Sequence, residues 1–197
     1  MNLLIASTNR GKLREIQAVL SDLALDLVLP ADLGLNLNVE ETGTTYAENA
    51  ALKARAYCQA GGLLTLADDS GLEVDALGGL PGVRSARFLP LPGASDADRR
   101  HYLLLQLAGK PQPWTAHFHC TVALAPPSGE VLYAEGDCPG EIIPLERGDN
   151  GFGYDPIFLL PELGRTMAEL STAEKNQLSH RARALKAALP LLRQFLD

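Results

Sequence analysis

Asp68 and Asp69 stand side by side at the end of an apolar run, with Ser70 and Gly71 directly after them. The run, Gly62 to Ala67, carries Leu63, Leu64 and Leu66 and reads as a short buried strand ending in a glycine turn. In α/β proteins, ligands collect at the ends of such strands. Two neighbouring carboxylates there are costly unless something positive binds them, and Mg²⁺ is the usual ion for an all-oxygen site. A solvated turn, with the acids bonded to their own backbone, is the other reading of this segment taken alone.

Further segments carry related chemistry. Ser7-Thr8-Asn9-Arg10-Gly11-Lys12 lies between a predicted strand and a predicted helix, where backbone N–H groups and a positive helix end face an anion. It is not a Walker-type loop, because Leu13 stands where a Mg²⁺-binding Ser or Thr would follow the lysine. A plain helix start is the competing reading. Glu41, in Glu40-Glu41-Thr42-Gly43, is placed either to join Asp68 and Asp69 around a cation or to complement the dipole of the helix that follows. On that helix Asn49 and Lys53 share a face, although Lys53 alone also reads as a solvated lysine.

In Gly148-Asp149-Asn150-Gly151-Phe152-Gly153-Tyr154-Asp155-Pro156, glycines surround two aromatics. Glycine lets a backbone approach a flat ligand, and Phe152 or Tyr154 offers a stacking face; a hairpin loop with its aromatics packed inward is the alternative. Lys175 to Arg181 is a dense polar cluster in the first turns of the last predicted helix, with Lys175 facing the same way as Ser179, and Asn176 as His180. His117 and His119 alternate on a predicted strand. With no further Cys or His at ligand spacing, packing or a hydrogen bond is favoured there over a metal.

These groups need elements to position them. Leu3 to Ala6 reads as a strand, a helix starts near Lys12 and carries Leu13, Ile16, Leu20 and Leu23, and Asp26 to Leu29 reads as a second strand. Thr45-Tyr46-Ala47-Glu48 fits a capping box that opens a helix running to Gly61-Gly62. Alternating strand and helix predict an α/β sheet covered by helices. The stretch Gly78 to Gly93 reads as irregular, and Asp96 to Ala108 as a helix. Thr115 to Ala125 and Val131 to Gly136 read as strands joined by a hairpin at Pro126-Pro127-Ser128-Gly129, with a short strand at Glu141 to Ile143. Ser171-Thr172-Ala173-Glu174 is a second capping box, opening a single helix through Leu192 that Pro190 interrupts or kinks.

The 197 residues suffice for one domain with a real core, in one lobe or two, and the net charge of −7 argues against nucleic-acid binding through a basic surface. A polyphosphate would therefore have to find its positive charge gathered locally. The three cysteines form no CxxC pair, which suits a reducing compartment. The start of the chain has no basic leader, and no stretch reaches the roughly 18 apolar residues of a membrane span. A cytoplasmic protein without membrane partners is the expectation.

Taken in order, the segments resemble the Ham1/RdgB family, the inosine triphosphate pyrophosphatases. The resemblance rests on Ser7 to Lys12, Glu41-Thr42-Gly43 with Glu48-Asn49-Ala50 and Lys53-Ala54, and Ala67 to Leu72. It continues through Pro81-Gly82-Val83 with Ser85-Ala86-Arg87, Gly151 to Pro156, and Ser179-His180-Arg181. One departure is visible, since Arg84 stands where the family usually has tyrosine; this bears on local packing or a dimer contact and leaves the other motifs intact.

The resemblance implies a single ITPase-like domain over residues 1–197, an α/β fold with an elongated mixed β-sheet flanked by helices, and two lobes with the active-site cleft between them. It implies a Mg²⁺-dependent homodimer that hydrolyses ITP, dITP and XTP to the monophosphate and pyrophosphate, cleansing the nucleotide pool. Carried over residue by residue, it makes Asp69 catalytic and gives the metal to Glu41, Asp69 and Asp68. The phosphates go to Ser7, Thr8, Asn9, Arg10, Gly11, Lys12, Lys53 and Ser70. The base and ribose go to Phe152, Gly153, Tyr154, Asp155, Lys175, His180 and Arg181, with donor-only Arg181 suited to a 6-oxo group. A Maf-like pyrophosphatase for other modified nucleotides and a non-catalytic nucleotide sensor are the alternatives.

Overall fold

The computed structural model describes residues 1–21 and 23–195. Among them are the strands β1 (Asn2–Ile5), β2 (Asp26–Val28), β3 (Thr65–Val74), β4 (Trp114–Ala125), β5 (Leu132–Ile142), β6 (Phe158–Leu160) and β7 (Arg165–Thr166). They pair in the order β2-β1-β3-β4-β5-β6-β7. β1 runs parallel to β2 and β3, while β6 is antiparallel to β5 and β7, so the sheet is mixed as predicted. The helices are α1 (Arg10–Leu20), α2 (Tyr46–Gly61), α3 (Asp96–Leu107), α4 (Thr172–Leu178) and α5 (His180–Arg193). Among the described residues no helix is long and apolar enough to cross a membrane.

The chain divides into two units, one of residues 1–69, 120–136 and 180 onward, the other of residues 70–119 and 137–179. In the first unit, side chains alternate across the sheet as the strand repeat requires. Leu3 and Ile5 join Ile16 and Leu20 of α1 and Leu185 and Leu192 of α5; Leu4 and Ala6 join Ala50, Ala54 and Tyr57 of α2. Each fully buried leucine is worth about 2 kcal/mol, so this double-sided burial holds β1 in place. The alternation continues along β3, with Leu66 on the α1/α5 side and Ala67 on the α2 side. One step further it sends Asp68 and Asp69 to opposite faces. The second unit has its own core, in which Leu72, Leu103, Trp114, Phe118, Phe158 and Met167 are buried together.

Several predicted boundaries move. β3 does not end at Ala67 but continues to Val74, so the aspartates sit inside the strand. Its pairing with β1 ends at Leu66, and β4, its other neighbour, supports the rest. α1 starts at Arg10, earlier than Lys12, because Asn9 caps it. The stretches around Val131–Gly136 and Glu141–Ile143 are one strand. Pro139 is tolerated because β6 pairs only further on, with Glu141 and Ile142. β6 and β7 are too short to stand out in the sequence. Gly82–Arg87, inside the stretch read as irregular, forms a 3₁₀ helix, and Arg84 on it is exposed. The last predicted helix is two, because Ser179 adopts an extended conformation (ψ 155°) between α4 and α5. That break removes the shared faces expected for Lys175 with Ser179 and Asn176 with His180.

Candidate active site

In the first unit, α2 organises the α2 face of β3. Thr45 and Glu48 form the predicted capping box. The loop before them docks so closely that a Cβ on Gly43 would lie 2.6 Å from Glu48 Cβ and 2.7 Å from Asn49 Oδ1. Asn49 is fully buried. Its Oδ1 accepts from Gly43 N at 2.8 Å, and its Nδ2 donates to Asp69 Oδ2 at 3.3 Å. One turn on, Lys53 Nζ reaches Glu41 Oε1 at 2.8 Å and Asp69 Oδ1 at 3.4 Å. The shared helix face of Asn49 and Lys53 thus holds both oxygens of one carboxylate. Burial pushes the Asp69 carboxyl up, Lys53 and Lys12 pull it down, Glu41 and Asp68 oppose them, and the net shift is upward. Lys53 is pushed down by burial, but Asp69, Asp68 and Glu41 outweigh that and raise it, so it stays charged.

Asp68, on the α1/α5 face, has a different environment. Its Oδ2 accepts from Lys12 Nζ at 3.0 Å and from Arg181 Nε at 3.0 Å. Arg181, itself 1% exposed, also donates through Nη1 to the buried Glu15 of α1. Burial alone would raise the Asp68 carboxyl, but Lys12, Arg181 and Lys53 hold it far below the usual carboxylate range. Asp68 Oδ1 is buried with no hydrogen-bond partner. Arg181 reaches this position because α5 begins against β5, where a Cβ on Gly136 would lie 2.5 Å from His180 O and closer still to Ala184 N. Lys12, Glu41, Lys53 and Asp68, with Ser7 and Thr8, line a cavity of about 290 Å³.

The second unit holds another polar cluster. Asp155 Oδ2 accepts from Phe152 N at 2.9 Å and from Lys175 Nζ at 2.6 Å. Lys175 Nζ also lies 4.8 Å from the centre of the Phe152 ring, within cation–π range. Gly151 must be glycine, because its φ is +77° and a Cβ there would collide with the Asp155 carboxylate. Gly153 N donates to Asp96 Oδ2 at 2.7 Å, and Gly153 O accepts from Arg100 Nη1 at 2.9 Å.

A sequence model of the Ham1 family matches residues 3–191. The chain belongs to the Ham1 family. A dITP/XTP pyrophosphatase of Desulforamulus reducens is 45% identical over 99% of this chain and 97% of its own length. One of Nostoc is 47% identical over 99% of this chain and 96% of its own. A solved HAM1 protein of Coxiella burnetii superposes with a TM-score of 0.89 at 41% identity, covering 98% of this chain and 99% of its own.

Not every Ham1 motif residue stands where the resemblance put it. The first turn of α1 does not offer its N–H groups freely, because Asn9 Oδ1 accepts from Gly11 N at 2.8 Å and Lys12 N at 3.1 Å. Asn9, Gly11 and the Lys12 backbone therefore shape the helix start, and Lys12 acts through its side chain. Tyr154 is not a stacking face. It is 5% exposed in the second unit's core, and its hydroxyl donates to Ser85 O at 2.9 Å. Burial pushes that hydroxyl far above the usual tyrosine range. Phe152, half-buried, is the aromatic that remains for a base. Arg181, which the resemblance has reading a 6-oxo group, gives two of its five donors to Asp68 and Glu15 and so also holds Asp68. Ser70 falls in the second unit, and His180, 5% exposed, begins α5 in the first. His119 Nδ1 shares a hydrogen bond with Asp137 Oδ1 at 2.7 Å, as read from the sequence, and His117 Nε2 lies 3.4 Å from Glu73 Oε2.

Glu15, Asp96 and Arg100 were missed. Glu15 follows Lys12 by three residues on one helix face, a spacing that could have flagged it. Among the described residues no three His, Cys, Asp or Glu side chains gather closely enough to cage a metal. The pleat explains this, because Asp68 and Asp69 face opposite ways. What the site offers is hard carboxylate oxygen, including the unpartnered Asp68 Oδ1. That fits Mg²⁺, which takes one or two carboxylates and completes its shell with phosphate and water, and not zinc.

Proposed function

We propose that this chain hydrolyses non-standard purine nucleoside triphosphates, ITP, dITP and XTP, to the monophosphate and pyrophosphate. The observation that carries the reading is its likeness, over 99% of its length, to proteins named dITP/XTP pyrophosphatases. The two carboxylates of β3, each held by lysine on its own face, are the local chemistry that supports it.

Lys12 and Lys53 bind phosphate oxygens in the cavity they line, supplying the local positive charge that a chain of net charge −7 otherwise lacks. Asp69 orients the attacking water and takes its proton. Its raised proton affinity suits a base better than an ordinary surface carboxylate. Asn49 and Lys53 fix the two oxygens of that base. Asp68 anchors Lys12 beside the phosphates. Glu41 and Asp69 would hold Mg²⁺, with Asp68, which lines the cavity together with Glu41, as a further carboxylate. When bound, the ion neutralises charge on the phosphate oxygens. Phe152 stacks on the base, and Asp155 and Lys175 beside it offer hydrogen-bonding groups. The reading includes a homodimer at work in the cytoplasm, supported by the family likeness and by three buried, unbridged cysteines.

Product analysis by ³¹P NMR with ITP, XTP, GTP and ATP in Mg²⁺, with a chelated control, tests this. Pyrophosphate from ITP and XTP, little from GTP or ATP, and none after chelation is the expected result. Orthophosphate, or equal turnover of all four, would sink the base filter and favour a Maf-like or broader enzyme. Binding of ITP without turnover would make the protein a sensor.

A further inference from the structure

We propose that Asp96 and Arg100 of α3 are positioning residues for base selectivity, clamping Gly153 through its N–H and its C=O so that Phe152 presents its ring at a fixed height and tilt. This rests on the proposed function. A single residue is gripped from both sides, with Asp96 Oδ2 accepting from Gly153 N at 2.7 Å and Arg100 Nη1 donating to Gly153 O at 2.9 Å. Neither grip is loose. Arg99 Nη2 occupies the other oxygen of Asp96, and Arg99 Nη1 donates to Ala94 O at 2.7 Å. The remaining face of Arg100 forms a fork on Glu146, at 2.9 and 2.8 Å. Asp96 stands in the first turn of α3, opened by the Ser95/Asp98 capping box, so the helix end favours its negative charge.

The loop has little freedom left on either side of this grip. Phe152 N is tied to Asp155, and Tyr154 is buried with its hydroxyl on Ser85 O. Gly153 has φ +62°, yet a Cβ there would meet nothing within 4 Å. Its glycine thus serves conformation and not space. An anchor of mere stability needs only apolar packing. Two charged side chains on one residue, each braced by a further charged partner, fix orientation, which hydrogen bonds to ionised groups do with the least angular play. Of the loop's residues, Phe152 is next to the clamp and carries the half-buried aromatic face.

The test compares kcat/KM for ITP and GTP in wild type, Asp96→Asn and Arg100→Gln, each also combined with Phe152→Ala. Loss of either half of the clamp should reduce the ITP preference about tenfold, mainly through KM. The same change should have little further effect once Phe152 is gone. Equal slowing of both substrates through kcat, or full additivity with Phe152→Ala, overturns the inference. Hydrogen exchange on the full chain reads the clamp without activity. Faster exchange at Gly153 in both single variants is expected, and unchanged exchange overturns it. A wild type inert toward every triphosphate would overturn the proposed function and this role with it. An active wild type whose variants keep their preference overturns this inference alone.

Discussion

Asp68 and Asp69 are neighbours in sequence and opposites in environment. The strand pleat turns one toward two cations that hold it ionised and the other toward burial that lifts its proton affinity. A base must be deprotonated to act, so kcat/KM should rise with pH through the Asp69 pKa. Lys53 is the largest influence holding that pKa down. Lys53→Met should therefore move the acid limb of the pH profile to higher pH by about one unit, besides weakening phosphate binding. A limb that stays in place would remove Asp69 from the role of base. Asp68 titrates in the other direction. Its folded pKa is depressed, so the stability it contributes is present above its unfolded value of about 3.9 and is lost only as pH falls through the folded one. Asp68→Asn leaves Arg181 and Lys12 short of their shared anion and should cost about 3–5 kcal/mol at pH 7 by urea unfolding. The deficit should narrow only in strong acid. The acids themselves were legible in the sequence. Their division between two faces was not, because it depends on β3 running on past β1. The Arg181–Glu15 pair joins residues far apart in the chain, and no local pattern announces it.

At the scale of elements, short-range chemistry was readable and partner-dependent extent was not. Thr45 with Glu48 and Ser171 with Glu174 cap their helices as their spacing predicts, because a capping box is closed within four residues. The length of β3, the fusion of two predicted strands into β5 and the break at Ser179 follow from what each segment packs against. Gly136 marks one such place. Its Cα–H side lies against the backbone of α5 at His180 and Ala184, so Gly136→Ala must displace the helix that carries Arg181. We expect a loss of about 1–3 kcal/mol and a fall in activity larger than that destabilisation explains, measured by chemical unfolding and by turnover well below the melting temperature. Normal activity in a folded Gly136→Ala protein would show that α5 can shift without disturbing Asp68.

For the molecule as a whole, the excess of acidic residues and the few lysines and arginines around β3 set how it meets other polyanions. Labelled duplex DNA at physiological salt should show no binding by fluorescence anisotropy, and a salt-sensitive signal would mean a basic surface has gone unrecognised. The same contrast gives weight to Asn9, whose side chain already occupies two amides at the start of α1. Those amides are not there to trace the outline of a phosphate, so under the proposed function recognition at that end would fall chiefly to the lysines. Lysine is a point charge without a shape to match. Inorganic tripolyphosphate, with neither sugar nor base, should then act as a decoy, competing with ITP and losing its grip as salt rises. The phosphate end would attract indiscriminately, and refusal of the wrong nucleotide would fall to the base alone.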